Sequence, residues 1–86
     1  MGVRMGKVKI KVFPLADVTD TSFETELTLS EGSLYECMTY LNEQFNTELR
    51  EKEIMILHNG RSLDIYADAV IAEGDQVWVL PRLSGG

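Results

Sequence analysis

The chain has 86 residues, enough for one small domain. Fourteen acidic and eight basic residues leave a net charge of −6, the wrong sign for a nucleic-acid binder, which normally offers a basic surface. One cysteine, Cys37, permits neither an internal disulfide nor a cysteine metal cluster, and no apolar run is long enough to span a bilayer. The sequence therefore points to a reducing cytoplasm, with no membrane and no metal site.

Residues 1–6 have no apolar signal core and read as a loose lead-in. Lys7 to Phe13 then alternates strictly. Val8, Ile10 and Val12 share one face, and the three lysines and Phe13 the other, as in a half-buried strand. Pro14 ends it, because proline has no N–H for a ladder. Leu15 to Ser22 reads as a polar loop. Phe23 to Leu29 alternates again, with Phe23, Thr25, Leu27 and Leu29 on one face, and its closeness to the first strand predicts an antiparallel pair.

Ser33 followed by Glu36 predicts a capping box, each side chain satisfying a free backbone N–H. Leu34, Met38, Leu41 and Phe45 recur at helical spacing with Cys37 beside them, predicting a helix to about Asn46 whose apolar stripe lies on the sheet. Asn46 to Glu53 reads as a solvated connection. Ile54 to His58 is a third strand, Asn59-Gly60 a tight hairpin turn, and Arg61 to Leu63 a short return. Asp64 to Ala72 is irregular, Glu73-Gly74-Asp75 is a turn, and Gln76 to Leu80 is the last strand, stopped by Pro81. His58 reads as an exposed residue beside its hairpin, and Cys37 as a buried, inert thiol.

An early hairpin, a helix and a later set of strands predict an α+β roll: a mixed sheet of about four to five strands with one main helix on one face. That is a β-grasp, ubiquitin-like architecture spanning 1–81, followed by a flexible tail, 82–86. In the last strand Val77 and Val79 share one face, Trp78 and Leu80 the other. If the valines meet the helix, Trp78 and Leu80 lie on the open face as candidate docking residues.

The sequence closes on Leu83-Ser84-Gly85-Gly86. Two glycines in succession make a thin thread that can enter a narrow site on another protein. Fully extended, Arg82 to Gly86 reaches roughly 16–18 Å.

The run from Ile71 to Gly86, with its acidic Gly-Asp turn, apolar strand, proline and terminal Gly-Gly, resembles the ending of the MoaD/ThiS sulfur-carrier proteins. The likeness extends to the first strand, the capped helix and the Asn-Gly hairpin. In length the chain is more similar to the small subunit of molybdopterin synthase than to the shorter thiamine-pathway carrier. Pro81-Arg82 departs from the Pro-Pro common in the molybdopterin carriers, a difference that bears on the pathway.

The resemblance implies that a ubiquitin-activating-type enzyme adenylates the Gly86 carboxylate with its own ATP, the carrier binding no cofactor. A sulfur donor system would then displace AMP to leave a thiocarboxylate. A molybdopterin synthase large subunit, or alternatively a thiazole synthase, would receive that sulfur. The same activated carbon attacked by a lysine amine would make the chain a protein modifier; a plain β-grasp binding module is the remaining reading. On the carrier reading the chain is a non-catalytic subunit. Its reacting end is Gly85 and Gly86, and its partner-binding residues are Trp78, Leu80, Pro81, Arg82, Leu83 and Ser84.

Overall fold

The computed structural model describes residues 6–82. The two alternating segments form β1 (Gly6–Val12) and β2 (Phe23–Leu29), paired antiparallel from Gly6 opposite Leu29 to Val12 opposite Phe23. Gly6, read as part of the lead-in, is thus the first residue of β1. Its missing side chain has a reason: a Cβ there would sit 3.0 Å from the backbone nitrogen of Glu73. Val8, Ile10 and Val12 are buried, and Lys7, Lys9 and Lys11 turn to the other face.

Helix α1 (Leu34–Phe45) buries Leu34, Cys37, Met38 and Leu41; Phe45 stays half-buried, edge-on to Phe23 with ring centroids 5.1 Å apart. Asn46 closes α1 in the left-handed region at φ 52°, donating its N–H to the Asn42 and Glu43 carbonyls. Ser33 caps the other end, its hydroxyl accepting from the Glu36 N–H at 3.1 Å. The second half of the predicted capping box does not form. The Glu36 carboxylate reaches back instead to the preceding turn. There it accepts from the N–H groups of Ser30 (2.8 Å), Glu31 (2.8 Å) and Gly32 (3.1 Å) and from the Ser30 hydroxyl (3.0 Å). Burial raises its pKa, but these bonds outweigh it and the net displacement is downward.

The connection after α1 includes a short 3₁₀ helix, Leu49–Glu51, with Leu49 wholly buried. Strand β3 (Ile54–His58) turns into β4 (Arg61–Leu63) through Asn59 at φ 52° and Gly60 at φ 86°, the geometry the Asn-Gly pair predicts. The irregular stretch before the last strand is tied to the entrance of α1: Ile71 donates to the Gly32 carbonyl at 2.8 Å and Leu34 to that of Ala69 at 3.2 Å. Ile71 itself is buried.

Strand β5 (Gln76–Pro81) enters the middle of the sheet, parallel to β1 and antiparallel to β3, giving the order β2-β1-β5-β3-β4. Its Val77 and Val79 are fully buried, as suits the strand with neighbours on both sides. The core is one layer between the sheet and α1. Among the described residues no helix is long and apolar enough to cross a membrane.

Where the turn before β5 meets the end of β3, His58 corrects the sequence reading. Its ring nitrogen Nε2 bonds to the Asp75 carboxylate at 2.7 Å, and both side chains are about 20% exposed. The same carboxylate oxygen accepts from the Ala72 N–H at 2.8 Å. The bond from His58, then that from Ala72, hold the Asp75 carboxyl at about 2, below its ordinary value. A depressed carboxyl pKa stabilises the fold above the unfolded-state value, and that stability goes as pH falls through the folded-state value. The Asp75→Asn variant should therefore be less stable than the parent at neutral pH. Between about pH 4 and pH 2 its urea midpoint should fall less steeply, since only the parent has the Asp75 carboxyl to protonate.

Candidate functional site

Among the described residues, no helix covers the face of the sheet away from α1. Strand alternation sends Lys9, Lys11 and Phe13 to it from the β1 side, Trp78 and Leu80 from β5, and Met55 and Leu57 from β3. Lys11 stands beside Trp78 across the parallel pair, and Leu57 is opposite Trp78 across the antiparallel one. Trp78, 37% exposed, is the centre of this patch; Leu80, Leu57, Met55 and Phe13 are half-buried around it.

Trp78 is held from one side. Its ring is tilted 59° to that of Phe13 with centroids 5.4 Å apart. The Lys11 ammonium lies 4.8 Å from the Phe13 centroid and 5.9 Å from that of Trp78, and is 3.5 Å from a Glu24 carboxylate oxygen. At exposed sites a cation–π contact is worth about 0.5–1 kcal/mol and an ion pair no more, so these contacts orient the indole without covering it. A shallow hollow of about 490 Å³ opens on its β1–β2 side and one of about 280 Å³ beside Leu57 and the Asn59-Gly60 turn. The lysine row thus contributes Lys11 to the aromatic patch.

The exit of the chain is fixed by its two prolines. The parallel pairing of β1 and β5 ends with Val12 beside Val79, so Pro14 and Pro81 fall at the same level, two residues on. Phe13 donates to the Val79 carbonyl at 2.8 Å, which turns the backbone of Val79, and by alternation of Pro81, towards β1. The N–H that Pro81 lacks is the one the Phe13 carbonyl would accept, so the ladder between β1 and β5 ends there. On the other side Pro81 still pairs with Ile54, and Arg82 donates to the Glu53 carbonyl at 3.0 Å. The anchored chain therefore runs through Pro81 to the backbone of Arg82, whose side chain is exposed. Leu83, Ser84, Gly85 and Gly86 lie outside the described residues.

Cys37 is fully buried; desolvation, and then the nearby Glu36 charge, push its thiol up to about 12. A thiol in that state is a poor nucleophile.

The five-stranded mixed sheet with one helix across it is a ubiquitin-like β-grasp, and the resemblance drawn from the sequence holds at that level. No family model matches the sequence, and no curated protein matches it. Solved structures do. The chain is similar to small archaeal modifier protein 1 from Methanosarcina acetivorans, with 25% identity and a TM-score of 0.66 over 96% of this chain and 99% of that one. It shares its fold with the HVO 2177 protein of Haloferax volcanii (17% identity, TM-score 0.69, 95% of this chain and 88% of that one). The same holds for small archaeal modifier protein 1 of Haloferax volcanii (20% identity, TM-score 0.65, 94% and 100%).

Two outcomes check this geometry. Truncating a fully buried tryptophan costs about 3–5 kcal/mol, whereas Trp78→Ala should cost less than about 2 kcal/mol in urea denaturation followed by circular dichroism. A larger loss would put the indole in the core. Alkylation of Cys37 by iodoacetamide at neutral pH should proceed only as fast as the chain unfolds, and should accelerate in step with added denaturant.

Proposed function

We propose that this chain is a ubiquitin-like carrier whose C-terminal Gly86 carboxylate is activated by a partner enzyme and then transferred. The observation that carries the reading is the likeness, over nearly the whole chain, to a protein named as an archaeal modifier, joined to a sequence that closes on Gly85-Gly86. A carboxylate is a poor electrophile until one oxygen becomes a good leaving group. Attack of the Gly86 carboxylate on the α-phosphorus of ATP, held by a ubiquitin-activating-type enzyme, releases pyrophosphate and leaves an acyl-AMP. A lysine amine on a target protein then displaces AMP and loses a proton, forming an isopeptide bond.

A second reading rests on the tail motif. If a sulfur donor system supplies hydrosulfide, its sulfur attacks the acyl carbon, AMP leaves, a proton is lost and Gly86 becomes a thiocarboxylate. That sulfur would serve molybdopterin synthesis, with the synthase large subunit as recipient, or the thiamine thiazole. On either reading the chain supplies no general acid, base or metal. Because Cys37 is buried and its thiol protonated, sulfur would travel on the terminal carbonyl and not on the cysteine.

The body supplies the recognition. Trp78 and Leu80 are the anchors of the docking surface, the cations of Lys9, Lys11 and Arg82 suit acidic groups on the activating enzyme, and Pro81, Leu83 and Ser84 are the stretch its channel would grip. Such a partner would meet this patch against a body whose overall charge is −6.

Intact mass spectrometry of the chain isolated from its native cell decides between the fates. A ladder of larger species, each yielding a target peptide with a Gly-Gly remnant on lysine, supports the modifier. A gain of about 16 Da at Gly86, the exchange of one oxygen for sulfur, supports the carrier. Deleting Gly86 should abolish both products and leave the circular dichroism spectrum unchanged. Persistence of activity without Gly86 would leave only the binding-module reading. Trp78→Ala should weaken binding to the activating enzyme at least tenfold.

A further inference from the structure

Among the described residues, three of the four large apolar side chains left exposed lie on one flank of α1. They are Tyr35 (63% exposed) in its first turn, and Tyr66 (70%) and Val70 (78%) in the irregular stretch before β5. A bridge between Ser33 and Val70, and the bond from the Leu34 N–H to the Ala69 carbonyl at 3.2 Å, hold that stretch against the start of the helix. The Asp64 carboxylate accepts from the Tyr66 N–H at 2.7 Å and the Asp64 carbonyl from the Ala67 N–H at 2.9 Å, so the turn that presents Tyr66 is fixed. Tyr35 and Tyr66 share the lining of a hollow of about 80 Å³ with buried Met38, half-buried Ile65 and Ala67, and Arg50. That is several times the ~10–15 Å³ that one water needs, and it suits a single aliphatic side chain. Rings so exposed contribute little to the core. Tyrosine and arginine around a small apolar pocket are the composition of a binding hot spot.

The charge around the hollow is unbalanced. The one cation in its lining is already committed. Arg50 donates to the Glu48 carboxylate through Nε at 2.7 Å and Nη2 at 3.2 Å, and its guanidinium lies 5.2 Å from the Tyr35 centroid. Asp64 and Asp68 are exposed and have no ion-pair partner among the described residues. The segments that border the hollow, 31–39, 48–53 and 61–70, hold seven acids against Arg50, Lys52 and Arg61. A nucleic acid, an acidic peptide or a second copy of this chain, itself at −6, would add negative charge to a surface already in surplus. A basic segment meets a field of opposite sign and keeps its apolar side chain for the hollow.

We propose that this flank of α1 is a docking surface for a basic segment of a partner protein. One leucine-like side chain fills the hollow between Tyr35 and Tyr66, and the lysines or arginines beside it face Asp64 and Asp68. The surface lies on the helix side of the sheet, whereas Trp78 lies on the other, so its occupant leaves the open face free. Nothing in this contact requires the chemistry of Gly86.

The test uses the full chain, uniformly labelled with nitrogen-15, and three blocked seven-residue peptides: lysines flanking a central leucine, the same lysines flanking serine, and glutamates flanking leucine. The lysine–leucine peptide should shift the amide resonances of Tyr35, Tyr66 and Ala67 saturably, and the other two should not. Tyr66→Ser should weaken that peptide at least about fivefold and leave the urea midpoint of the chain unmoved. Asp68→Lys should weaken it about threefold and make the remaining binding less sensitive to added salt. This exposed charge variant keeps the test decisive if the tyrosine variant does not fold. Three outcomes overturn the proposal: no response to the lysine–leucine peptide, an equal response to either of the other peptides, or shifts centred on Trp78 and Leu57.

Discussion

The structure depends on the placement of β5 between β1 and β3. It is the last strand in sequence and the innermost in space, the only one of the five that closes the sheet: without it β1–β2 and β3–β4 are two separate hairpins. An isolated hairpin is marginal in water, so the core forms only when Val77 and Val79 slide between them and under α1. The body therefore completes itself with the segment that leads directly to the tail. The last residue of the sequence and the fold's keystone are separated by a few residues, and the same backbone that joins the two halves delivers Arg82 to the sheet's rim.

From that placement follows the division of labour between the two faces of the sheet. One face is spent on the core; the other carries Trp78 at its centre because odd and even residues of β5 point to opposite sides. The aromatic patch and the tail are thus in register by construction: Trp78, Leu80 and Arg82 descend one side of a single strand towards the exit. A partner that recognises the patch meets the start of the thread without searching for it.

Much of this was legible in the sequence, for a definite reason. The alternation of Lys7 to Phe13 and of Phe23 to Leu29, the cap at Ser33, the stripe through Leu34, Met38 and Leu41, and the Asn59-Gly60 turn are local signals, and each appears where the residues place it. What escaped was nonlocal. Leu49 is a core residue set singly in a charged stretch, and Leu15 and Ile71 lie in short apolar runs with no helix or strand period to announce them. His58 and Asp75 are seventeen residues apart and meet only because β3 and β5 are adjacent. Lys11 reaches the ring of Trp78 only because β1 and β5 run parallel, a pairing that periodicity does not encode. At the candidate site, the split between Val77/Val79 and Trp78/Leu80 was readable from period two alone, whereas the flanking Leu57 and Met55 required knowledge of strand order.

The interior position of β5 has a mechanical side. A load applied through the tail, as when an attached cargo is hauled into a narrow channel, acts along the strand axis. It must shear the hydrogen bonds to β1 and to β3 together instead of opening them one by one. Threading that began at the carboxyl end would meet the most resistant element first, whereas a pull on β2 would peel an edge. The body is thus built to resist traction applied beyond β5 and to yield, if it yields, from the opposite flank.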